Sequence, residues 1–129
     1  MEEKMGKRFK KSFTVTKDDT ALALTSGGLE VLATPRLVAW MENVAYEGLE
    51  SLMADGETTV GTSMTIDHEA ATAVGGQVSV VATLTEIEKR LYTFVIEAFD
   101  NQEKIAQASH QRVRISVDRF LAKVNEKLK

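Results

Sequence analysis

With 129 residues, 43% of them apolar and 27% charged, the chain has the size and composition of one globular domain, residues 1–129. The absence of cysteine rules out disulfides, zinc–thiolate sites and cysteine nucleophiles, and it fits a reducing, cytoplasmic setting. A net charge of −3, scattered basic residues and few aromatics argue against nucleic acid as a partner, and no apolar run nears the ~18 residues of a membrane span.

Residues 1–11 read as a flexible, solvated N-terminus, because "MEEKMGKRFKKSF" is basic and no apolar stretch follows to make a secretory signal. "KSFTVTKDDTALAL", residues 11–24, reads as a strand broken at "KDD", and "TSGGLE" as a loop. Thr34 followed by Pro35, the one proline, predicts a helix start with Thr34 as N-cap. Leu37, Val38, Met41, Ala45, Leu49 and Leu52 keep a 3.6-residue spacing, so the helix is expected over 34–53, ending before Gly56. "TTVGTSMTID" alternates as a strand with Val60, Thr62, Met64, Ile66 and His68 on the inward side. "QVSVVATLTEIEKRLYTFVIEAFD" predicts a long hairpin turning near "EKR", and "IAQASHQRVRISV" a last strand. Residues 118–129 close the chain as a short helix with Asp118 as N-cap.

This order predicts an α+β fold with one long helix on an antiparallel sheet, its open edges covered by a second copy.

Four residues stand out chemically. Glu42 interrupts the apolar side of the long helix. Its neighbours Val38, Ala39, Ala45, Tyr46 and Leu49 include no cation. A carboxylate there carries a desolvation cost unless a partner arrives from elsewhere in the fold. The plain alternative is a glutamate at the stripe's edge that reaches water. His68 ends its strand on the helix side, where an imidazole can exchange a proton near neutrality; a backbone-bonded histidine is the alternative. Thr34 is adequately explained as a cap, although helix N-termini also present free N–H groups to anions. Gly61 weakens a strand interior unless something must approach its backbone closely. No GxSxG, P-loop, HExxH or dinucleotide fingerprint is present, and nothing in the sequence requires a metal.

Together, "LATPRLVAWMENVA", "GETTVGTSMTIDHEAATAVG" and "ASHQRVRI" resemble the hotdog-fold thioesterases of the fluoroacetyl-CoA thioesterase type, from about Phe13 to Lys123. Thr34 and Glu42 are eight residues apart and Glu42 and His68 twenty-six, as in that family. The resemblance implies a hotdog fold, in which a curled five-stranded antiparallel sheet wraps a central helix and protomers pair as homodimers, with tetramers also possible. It implies hydrolysis of a small acyl-CoA by Glu42, as nucleophile or general base, assisted by Thr34 and His68, with His68 the partner of Glu42. Gly61 would serve the oxyanion or substrate, and Arg112, Arg114 and Arg36 the polyanionic CoA, with no cofactor beyond the CoA of the substrate. The loop "LTSGGLEVLA" lacks the aromatic residues that the fluoroacetyl-selective enzyme carries before its helix, so the acyl group is left open. The competing readings are a hotdog hydratase or dehydratase, a non-catalytic acyl-CoA-binding or sensing module, and a purely structural dimer.

Overall fold

The computed structural model describes residues 5–129. Five strands form one antiparallel sheet: β1 (Arg8–Thr14), β2 (Glu57–His68), β3 (Gln77–Glu88), β4 (Leu91–Phe99) and β5 (Lys104–Ser116). Their order is β1-β3-β4-β5-β2, which leaves β1 and β2 as the two edges. The long helix α1 (Thr34–Glu50) packs on the concave face, and a second helix, α2 (Val117–Glu126), follows β5.

The helix forms where Leu37, Met41, Val44, Ala45, Gly48 and Leu49 return to one side every three or four residues. That side is buried against Val78, Val80, Leu84, Phe94 and Ile96 of the central strands. Burying Leu37, Met41 and Leu49 contributes roughly 1.5–3 kcal/mol each. Gly48 lets the helix approach β1 closely, because a Cβ there would run into the Phe9 ring. Phe13 of β1 stacks on Trp40 at 4.6 Å between ring centroids.

Several boundaries differ from the sequence reading. Strand β1 already spans Arg8–Thr14, so residues 8–11 belong to the sheet and the broken strand over 11–24 is not formed. After β1 the chain makes a short 3-10 turn (Lys17–Asp19) and a loop held by bridges from Thr20 to Leu32 and Val31 to Ala73. Helix α1 ends at Glu50 instead of Met53. Its N-cap is Ala33, and Thr34 is already helical, so the threonine hydroxyl is not used as a cap. Helix α2 is capped at Ser116 in place of Asp118, which lies in its first turn. The hairpin between β3 and β4 turns at residues 89 and 90, where it was expected.

The register of β2 decides what faces the helix. Gly61 pairs with Arg112 and Ser63 with Gln111, so Thr62 is an extra residue that forms a β-bulge. The bulge resets the alternation. Thr59 and Gly61 face inward before it, opposite Arg114 and Arg112, and Met64, Ile66 and His68 after it. Val60 and Thr62 are therefore not inward residues, contrary to the uninterrupted period read from the sequence.

Candidate active site

The residues singled out by sequence fall into two groups at opposite ends of β2. At the start of α1, Thr34 Oγ1 lies 2.7 Å from His68 Nδ1. Here the last residue of β2 meets the first turn of the helix. The pair borders a cleft of about 270 Å³ whose wall includes Ala21, Val31, Leu32, Pro35 and Ala70. The other ring nitrogen, His68 Nε2, is buried and has no hydrogen-bond partner among the described residues. Burial lowers the pKa of His68, and the backbone of Ala70 only partly offsets this. The imidazole is thus held neutral near pH 7, with one nitrogen engaged by Thr34 and the other able to give or take a proton.

The second group centres on Glu42, at the margin of the buried helix face with its side chain 43% exposed. It finds a cation that no helical neighbour could supply. Arg112 Nη1 on β5 lies 3.6 Å from Glu42 Oε2, an ion-pair separation longer than a direct hydrogen bond. Gly61 is what admits the carboxylate, since a Cβ on it would sit 2.5 Å from Glu42 Oε2. The guanidinium is buried and fixed from the other side: Nε donates to Thr59 Oγ1 at 2.9 Å and Nη2 to the Thr59 carbonyl at 3.0 Å. Its Cζ lies 5.8 Å from the centroid of the Tyr46 ring. Burial pulls the Arg112 pKa down, against the pull of Glu42.

Glu42 and His68 are not partners within one protomer. Among the described residues no ion pair or hydrogen bond joins them. Thr34 and Glu42 are eight helical residues, about 12 Å, apart, and His68 and Gly61 lie seven residues apart on β2, so the two groups sit at separate places along the strand.

The arginines expected to meet CoA also separate. Arg112 is buried, with Nε and Nη2 bound to Thr59 and Nη1 turned toward Glu42. Arg36 pairs with Asp19 at 3.0 Å and Arg114 with Glu57 at 3.7 Å, and each keeps about a third of its side chain exposed. His110 was missed by the sequence reading, although it is almost wholly buried behind Gly61 and contacts Arg112. Its signal was a histidine two residues before Arg112, on the same inward face of the strand as Ala106 and Ala108. No group of three or more His, Cys, Asp or Glu side chains among the described residues is placed to hold a metal.

The fluoroacetyl-CoA-specific thioesterase family model matches residues 15–118. The chain belongs to this family. It is 31% identical to the fluoroacetyl-CoA thioesterase of Streptantibioticus cattleyicolor over 96% of this chain and 94% of that protein. A crystal structure of a mutant fluoroacetyl-CoA-specific thioesterase superposes with a TM-score of 0.91 at 31% identity, covering 95% of this chain and 96% of that one. Another mutant of that enzyme, in complex with acetyl-CoA, gives 0.91 at 30% identity over 97% and 98% of the two chains. A hot-dog-like protein from Thermanaerovibrio acidaminovorans shares the fold, with a TM-score of 0.90 at 22% identity over 97% and 93%. The hotdog architecture expected of the fluoroacetyl-CoA-specific thioesterase family is therefore the fold of this chain.

Proposed function

We propose that the protein hydrolyses the thioester of a small acyl-CoA, in a site that two copies of the chain build together. The observation that carries this reading is the division of the acid–base residues. A neutral Thr34–His68 pair beside a cleft and a carboxylate held by Arg112 above Gly61 both lie along β2, an edge strand with no neighbour on its outer side among the described residues. A second copy pairing antiparallel along β2, about a dyad near Thr65, brings the Gly61–Thr62 bulge of one copy alongside His68 of the other. Glu42 of one protomer then faces Thr34 and His68 of its neighbour. The pairing also satisfies the open edge.

In this site Glu42 either takes the proton of a water that adds to the acyl carbon, or attacks that carbon itself. In the first route the tetrahedral oxyanion collapses and the C–S bond breaks; His68 Nε2 gives the departing thiolate a proton as the one Glu42 took from the water passes through Thr34 to Nδ1, so the ring stays neutral. In the second, C–S cleavage leaves an acyl–Glu42 anhydride that water then opens. Thr34 orients the imidazole, and the N–H groups at the start of α1 suit the developing oxyanion. Arg36 and Arg114 are the cations available to the phosphates of CoA. The apolar wall of Ala21, Val31, Leu32, Pro35 and Ala70 suits a short uncharged acyl group.

The test is thiol release from a panel of short-chain acyl-CoAs by wild type and Glu42→Gln. Release by wild type that falls about 10²–10⁴-fold in the variant supports the reading. Undiminished release in Glu42→Gln removes the carboxylate from the reaction, and tight binding without release by wild type makes the protein a sensor.

A further inference from the structure

His110 of β5 has no place in the steps above, yet it touches both structures that set the position of Glu42. It is 1% exposed. Its Nδ1 lies 2.8 Å from the carbonyl oxygen of Ser63, and its Nε2 lies 3.2 Å from Arg112 Nη1. A carbonyl can only accept, so the proton sits on Nδ1. Nε2 then presents its lone pair, the only arrangement in which a guanidinium N–H has something to donate to. One neutral tautomer therefore satisfies both contacts, and a protonated ring satisfies only one. Burial, the largest influence, and the charge of Arg112 both lower the pKa of His110, against the Ser63 carbonyl and Glu42.

We infer that His110 is a positioning residue for the reaction, aiming the Arg112 guanidinium at Glu42 and pinning the β2 bulge that sets Gly61 beneath the carboxylate. The first contact restrains rotation of Arg112, whose Nε and Nη2 are already bound to Thr59, so that Nη1 stays turned toward Glu42. The second fixes Ser63, the residue that closes the register shift after Gly61. Without it the bulge is free to migrate, and any shift that turns a side chain inward in place of Gly61 displaces the carboxylate.

The inference rests on the thioesterase reading for its kinetic consequence, and the test separates the two. Three variants are compared. His110→Gln places an amide oxygen near the Nε2 position and preserves an acceptor for Arg112. His110→Asn places a donor near the Nδ1 position and preserves the bond to Ser63. His110→Ala preserves neither. The first readout is ¹⁵N NMR of the Arg112 guanidinium, which needs no activity. Resolved, slowly rotating Nη groups in wild type and His110→Gln, averaged in His110→Ala and His110→Asn, are expected. The second is thiol release from acetyl-CoA. Here kcat is expected to fall about 10–100-fold in His110→Ala with KM within a factor of about two, and to recover in part in His110→Gln and in His110→Asn, each of which keeps one of the two contacts. Arg112 signals unaltered by His110→Ala overturn the inference, as does an unchanged kcat or a Gln variant as impaired as the Ala variant at equal stability. Absence of thiol release in wild type, with the NMR response intact, removes the thioesterase reading and leaves the brace on Arg112 standing.

Discussion

Mixing two inactive variants tests the shared site directly. Glu42→Gln removes the carboxylate from every site, and His68→Ala removes the imidazole. If each site draws Glu42 from one protomer and His68 from the other, a heterodimer of the two variants contains one site with both defects and one with neither. Random pairing of equal amounts makes half of all dimers mixed and half of their sites intact, so the mixture recovers about a quarter of wild-type activity. Each variant alone should retain no more than about 1% of wild-type kcat, given the 10²–10⁴-fold weight of a general acid or base. The recovery therefore stands at least an order of magnitude above background. The variants would carry different affinity tags, be denatured together, refolded and purified through both tags, and thiol release followed on acetyl-CoA. Purified heterodimer should reach about half of wild-type activity per dimer. Heterodimer that stays as inactive as its parents refutes a site divided between protomers, and a protein that remains monomeric at assay concentrations refutes it as well.

Four further outcomes follow from the geometry. Gly61→Ala should lower kcat on the order of 10²-fold, because its Cβ would sit 2.5 Å from Glu42 Oε2 and the carboxylate must move; kinetics alongside a urea melt check that the loss is not unfolding. Thr34→Val should leave urea stability nearly unchanged, since Ala33 is the N-cap, yet reduce kcat through His68; a stability loss of about 1 kcal/mol would restore the capping role. Gly48→Ala should lower stability by about 1–3 kcal/mol through the Phe9 ring, read as a reduced urea midpoint. The folded protein should also lose stability on acidification. Both histidines have folded pKa values below the ordinary 6.5. Below 6.5 the unfolded chain therefore binds protons first, and the contribution present above 6.5 is lost as pH falls through the folded values. Tm measured from pH 8 to 5 should decline in the acidic half, less steeply in His110→Gln.

Much of the fold was legible because periodicity reports burial. Leu37, Met41, Ala45 and Leu49 announced the helix, and the alternation in residues 77–99 announced the hairpin. What stayed hidden depends on pairing over long distances. Glu42 has no cation within a helical turn, and nothing local says that Arg112, seventy residues later, will supply one. The bulge at Thr62 was invisible because a bulge breaks the very alternation used to find strands, although Gly61 marked the place. A threonine before proline suits a helix cap, and only the tertiary contact with His68 shows the Thr34 hydroxyl committed elsewhere. The family's spacing of Thr34, Glu42 and His68 carried the identities of the site residues but not their division into two groups.

The open edge of β2 has a consequence for the life of the protein at low concentration. Twelve residues of strand leave the ribosome with one hydrogen-bonding side unclaimed, guarded by little charge beyond Asp67 toward its far end. Under the proposed pairing, the same surface must meet its own kind before it meets any other exposed strand. Specific activity should then drop on dilution together with resistance to proteolysis, both set by one dissociation constant. A cell making only a few copies would hold a chain that is correctly folded, idle, and open to capture by the wrong neighbour.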